Sequence, residues 1–89
     1  MNSRTTAEFR EAFAHLPTSV QRQARAAYRR FQQNPQHPGL RFRQVHATEP
    51  IFSARVGLHY RAVCTVDGND AVWFWIGSHA DYDALLAQT

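Results

Sequence analysis

At Asn34-Pro35-Gln36-His37-Pro38-Gly39 the hydrophobic period of the chain changes. Before this segment apolar residues recur at helical spacing, and after it they alternate. Two prolines and a glycine within six residues cannot continue a helix, so the segment closes one kind of structure and opens another. Val20, Ala24, Ala27, Tyr28 and Phe31 precede it at i, i+4, i+7, i+8 and i+11, one continuous apolar stripe. Phe9, Phe13 and Leu16 form a shorter stripe further upstream. Thr5 or Thr6 can cap that first helix, with Glu8 near its positive end; Pro17 ends it, and Thr18 offers a cap for the second.

Beyond Gly39 the period is 2, and β-runs are predicted over Leu40 to Val45, Ile51 to Val56, Tyr60 to Val66 and Ala71 to Ile76. Asp67-Gly68-Asn69-Asp70 joins the last two as a hairpin turn. Residues 80–88, with Leu85 and Leu86, read as a short closing helix capped by Ser78, His79 or Asp81. The expected fold class is α+β: an N-terminal helical hairpin on one face of a small, mainly antiparallel sheet of about four strands, with a short C-terminal helix. Residues 1–89 are read as one domain.

Composition narrows the function classes. The longest apolar run, Ala71 to Gly77, is far short of the roughly 20 residues of a membrane span. No signal-peptide pattern opens the chain, and Cys64 alone cannot form an internal disulfide, so a reducing cytoplasm is expected and no membrane partner. The net charge is +3, and all ten basic residues are arginine. No acid occurs from Ala12 to Thr48, a window that holds Arg22, Arg25, Arg29, Arg30, Arg41 and Arg43. Such asymmetry favours a polyanion or an acidic protein, and arginine favours bidentate contacts to phosphate or carboxylate.

Strand parity assigns Leu40, Phe42, Phe52, Ala54, Val56, Tyr60, Ala62, Cys64, Val66, Val72, Phe74 and Ile76 to a core face. The other parity holds Arg41, Arg43, Ser53, Arg55, Arg61, Val63, Thr65, Trp73 and Trp75. Arginines interleaved with aromatic residues suit single-stranded RNA, with guanidinium groups on phosphates and rings on bases. Arg41, Arg43, Trp73 and Trp75, with Arg22, Arg25 and Arg29 on α-helical spacing, are the candidate RNA-binding residues. The histidines at 15, 37, 46 and 59 show no ligand spacing, so neither metal nor cofactor is expected.

The segments "LPTSVQRQARAAYRRFQQNPQHPGLRFRQV" (16–45) and "FSARVGLHYRAVCTV" (52–66), with the order of elements, resemble the RelE/ParE superfamily of toxins from bacterial type II toxin–antitoxin systems. The similarity runs from Phe9 to Leu86. It implies a helical hairpin against a curved sheet, a cognate antitoxin as partner, and one of two activities. RelE-like members cut mRNA on the translating ribosome without a metal; ParE-like members inhibit DNA gyrase and lack the nuclease residues. A binding module without toxicity is a third possibility on the same fold.

Residue by residue, the resemblance places Arg61 at the scissile phosphate, Arg55 beside it on the preceding strand, His79 at the end of the last strand as the proton-transfer residue, and Tyr82 next to it as a residue that orients the histidine or stacks on a base. Gly77 would allow the turn that delivers His79. The chain departs from the RelE branch in having no lysine, with Ile51 and Ser53 in the corresponding region. An acidic base would have to be Glu49 or Asp81, and the usual N-terminal strand is expected to be absent or very short.

Overall fold

The computed structural model describes residues 1–88. Its elements are β1 (Asn2–Thr5), α1 (Ala7–Ala14), α2 (Thr18–Gln33), a 3-10 turn (Pro38–Leu40), β2 (Arg43–Gln44), β3 (Ile51–Val56), β4 (Tyr60–Asp67), β5 (Asp70–Ser78) and α3 (His79–Ala87). The strands form one five-stranded sheet in the order β1-β5-β4-β3-β2, antiparallel except for β1 against β5. This is the α+β arrangement read from the period change, with one strand more than expected. No helix among the described residues is long and apolar enough to cross a membrane.

The additional strand is β1, expected to be absent or very short; it is four residues long and paired at every position. Thr6, not Thr5, caps α1 by accepting from the Phe9 N–H, which frees Asn2–Thr5 to lie parallel to Asp70–Trp73. Thr18 does not cap α2; it is the first helical residue behind Pro17, with no side-chain cap bond. The stripe of α2 packs as its spacing dictates, with Val20, Ala27 and Phe31 buried and Ala24 and Tyr28 at the edge of the same core.

Two further expectations are corrected. The run Leu40 to Val45 is mostly not a strand: Leu40 ends the 3-10 turn, Arg41 adopts a left-handed conformation (φ 47°), and only Arg43–Gln44 pair with β3. In β5 the alternation is interrupted. Trp75 pairs with Val63 and Trp73 with Cys64, so Phe74 is an extra residue, a bulge that reverses parity. Trp73 thereby enters the core, 3% exposed, edge-on to Phe31 at 5.2 Å between ring centroids, while its indole N–H donates to Ser3 Oγ at 2.8 Å.

The sheet therefore has two packed sides. Under α1 and α2 lies the main core, built on Phe31, Leu40, Ala54, Val56, Cys64, Trp73 and Ile76. On the other side Ser53, Val63 and Trp75 stand in register across β3, β4 and β5. Tyr82 of α3 covers them, with Ser53, Val63 and Tyr82 all buried. What remains open on that side is the end of the sheet carrying Arg55 and Arg61.

Candidate functional site

Arg55 and Arg61 are direct partners across the β3–β4 ladder. Like charges placed opposite each other destabilise a sheet, so nothing in the packing calls for this pair. The Arg55 Nε–H donates to the Gly57 carbonyl at 2.9 Å, and Arg61 Nη1 donates to the Tyr60 carbonyl at 3.0 Å. Partial burial lowers the Arg61 pKa, and Arg55, Arg41 and Arg43 push in the same direction while Tyr82 opposes them. The structure thus gathers Arg41, Arg43, Arg55 and Arg61 into one field. Among the described residues the only ion pair is His79–Asp83, which leaves this quartet without a carboxylate and open to an anion.

The opposite neighbour of Arg61 on β5 is Gly77. Gly77 does not make a turn; it lies within the strand, and its lack of a side chain admits the indole of Trp75, two atoms of which would lie 2.8 and 2.9 Å from a Cβ placed there. The turn glycine of the site is Gly57, at φ +61°, between β3 and β4.

His79 opens α3. Ser78 is its cap, accepting from the Asp81 N–H at 3.2 Å, so the histidine is free of that duty. Its own N–H donates to the His59 carbonyl at 2.7 Å, locking the start of the helix to the β3–β4 turn. Its Nδ1 lies 3.1 Å from Asp83 Oδ2, and its ring meets the Tyr82 ring edge-on at 5.9 Å. With Nδ1 held by a carboxylate, Nε2 is the nitrogen available to a ligand. Asp83 was absent from the sequence reading, although the i, i+4 spacing of His79 and Asp83 on a helix was the signal that could have found it.

Five expected site residues are buried or stand elsewhere. Tyr82 is 5% exposed and its hydroxyl donates to Ser53 Oγ at 3.0 Å, so it supports His79 from below and offers no face to a base. Trp73 is in the main core for the reason given above. Arg22, Arg25 and Arg29 are exposed on α2, on the other side of the sheet from Arg61. Arg25 lies over the Phe13 ring at 5.1 Å, and with Arg4, Arg10 and Arg29 it borders an apolar groove of about 610 Å³ between the two N-terminal helices. Trp75 is half-buried between Gly77 and Tyr82.

The family profile of the ParE-like toxin domain matches residues 18–84, a stretch that includes every residue of this site. The chain belongs to the ParE-like toxin domain family. No curated protein matches the chain by sequence. This ParE-like chain is similar in fold to a chain of the RelB–RelE antitoxin–toxin complex from Methanococcus jannaschii (TM-score 0.72, 16% identity, 90% of this chain and 95% of that one). It is also similar to YafQ from E. coli (TM-score 0.67, 9% identity, 91% and 96%) and to HP0894 from Helicobacter pylori (TM-score 0.65, 14% identity, 90% and 96%). At such identities the likeness is one of fold, and the toxin fold carries more than one activity, so the site has to choose between them.

Proposed function

We propose that this toxin is a ribosome-associated mRNA interferase, cutting by attack of a ribose 2′-OH on the adjacent phosphate and needing no metal, as the resemblance to the RelE branch implies. The observation that carries this reading is the juxtaposition of Arg55 and Arg61 with His79, whose Nδ1 is held by Asp83. His79 Nε2 takes the 2′-OH proton. The 2′-oxygen bonds to phosphorus, and the phosphorane that forms carries negative charge toward Arg61 and Arg55, positioned before the reaction begins. The bond to the 5′-oxygen then breaks as that oxygen takes up a proton, leaving a 2′,3′-cyclic phosphate and a 5′-hydroxyl. General acid–base catalysis of this kind contributes about 10²- to 10⁴-fold per group. Arg41 and Arg43 extend the cationic surface along the RNA, and Trp75 offers the remaining aromatic edge.

A cognate antitoxin is the expected protein partner. The arginine-bordered groove between α1 and α2 supports this, because it combines apolar area with positive charge on the side remote from His79.

The test is a map of cellular mRNA 5′ ends minutes after induction of this chain alone, beside its His79→Ala form. New ends in translated regions that vanish in the variant support the interferase. Growth arrest without new ends, retained in His79→Ala, assigns the chain to DNA gyrase, the second reading that its ParE-like profile favours. Absence of both arrest and cleavage would leave a binding module.

A further inference from the structure

We propose that His59 is the general acid of the cleavage, the proton donor to the departing 5′-oxygen opposite His79; this rests on the interferase reading. The reaction as drawn has one group that takes a proton and needs another that gives one. Tyr82 is excluded by burial and by its bond to Ser53, and arginine does not release its proton. Asp83 is committed to His79.

The sheet register identifies the remaining candidate. In the β4–β5 ladder Tyr60 faces Ser78 and Arg61 faces Gly77. One residue beyond the last ladder pair, His59 in the β3–β4 turn and His79 at the start of α3 lie side by side, joined by the 2.7 Å bond from the His79 N–H to the His59 carbonyl. That bond brings the two histidines together at the end of the sheet where Arg61 faces Gly77. Across the β3–β4 ladder Arg55, the partner of Arg61, stands at the same end. His59 is exposed, and among the described residues its imidazole makes no hydrogen bond or ion pair.

Two imidazoles flanking two guanidinium groups suffice for a balanced transfer. The 2′-OH proton passes to His79 Nε2 as the 2′-oxygen–phosphorus bond forms. The bond from phosphorus to the 5′-oxygen breaks as that oxygen receives a proton from the His59 imidazolium. The enzyme is left with His79 protonated and His59 neutral, and exchange with water restores both.

The experiment uses the full chain, ribosomes and an mRNA whose A-site codon carries either an ordinary phosphodiester or a 5′-bridging phosphorothiolate, in which sulfur leaves without needing a proton. His59→Ala should slow cleavage of the ordinary linkage about 10²- to 10⁴-fold and cleave the phosphorothiolate within a few-fold of the unaltered chain. His79→Ala should be slow on both. An unchanged urea midpoint for His59→Ala excludes a folding defect. Equal loss on both linkages, or no loss on the ordinary one, overturns the role of His59 while leaving the interferase intact. Failure of the unaltered chain to cut either linkage overturns the interferase reading, and this inference with it.

Discussion

The Tyr82 hydroxyl donates to Ser53 Oγ across the second face of the sheet, joining α3 to β3 at 3.0 Å with both residues buried. Because no water competes there, the bond contributes about 1 kcal/mol, and its loss leaves a hydroxyl unsatisfied. Tyr82→Phe should therefore destabilise the fold by roughly 1–2 kcal/mol in urea unfolding, with the proposed mRNA cleavage retained within a few-fold. Combined with Ser53→Ala, the two effects should fall short of additive by about 1 kcal/mol. Abolished cleavage in a folded Tyr82→Phe would show that the hydroxyl itself takes part in the chemistry.

Gly77 makes a second prediction. A methyl group there would meet the Trp75 indole at 2.8 Å, and the ring has Tyr82 beside it. Gly77→Ala should cost about 1–3 kcal/mol, as overpacking does, and should disturb His79 two residues on. Adding Trp75→Leu makes room for the methyl group and should recover most of the lost stability. A Gly77→Ala chain as stable as the original would show that the indole has somewhere else to go.

Cys64 sits in the main core, where burial pushes its thiol from 9.0 up to about 12. Above pH 9 the unfolded chain loses this proton while the folded chain keeps it. Stability that is complete below pH 9 must then fall as the pH rises toward 12. Cys64→Ala should unfold with a shallower pH dependence over that window. At pH 8 the native thiol should resist iodoacetamide and react only on unfolding; rapid labelling of the folded chain would contradict its burial.

The two tryptophans should differ optically. With Trp75→Phe, the emission of Trp73 alone should be blue-shifted and protected from acrylamide. With Trp73→Phe, the half-buried Trp75 should be quenched more readily. Ser3→Ala removes the acceptor of the Trp73 N–H and should lower stability by about 1 kcal/mol, loosening β1 in hydrogen exchange.

These residues also mark how far the sequence could be read. The α2 stripe from Val20 to Phe31 and the strands at 51–56 and 60–66 were legible because each is a local period that packing then obeys. Trp73 was misplaced because parity carries through a strand only if no residue is added, and Phe74 is added by a bulge that depends on the neighbouring β4. The pairing of β1 with β5 links positions nearly seventy residues apart, and four residues are too few to show a period. Arg55, Arg61 and His79 enter as candidates only through the family resemblance, on the segment around Tyr60 and at the end of the last strand. His59 could not, since its meaning lies in the residue that α3 bonds to it and not in its neighbours along the chain.

The sheet order has a consequence for synthesis. The first strand made, β1, has no partner except β5, the last, so it must wait while the intervening chain emerges. Closing so long a loop is entropically expensive and belongs to the slow steps of folding. The strand that closes it also leads into His79 and sets it against His59. Completion of the sheet and assembly of the site are thus a single event, and a nascent chain that has not reached β5 has arginines to bind with but lacks the histidine that the proposed cleavage needs.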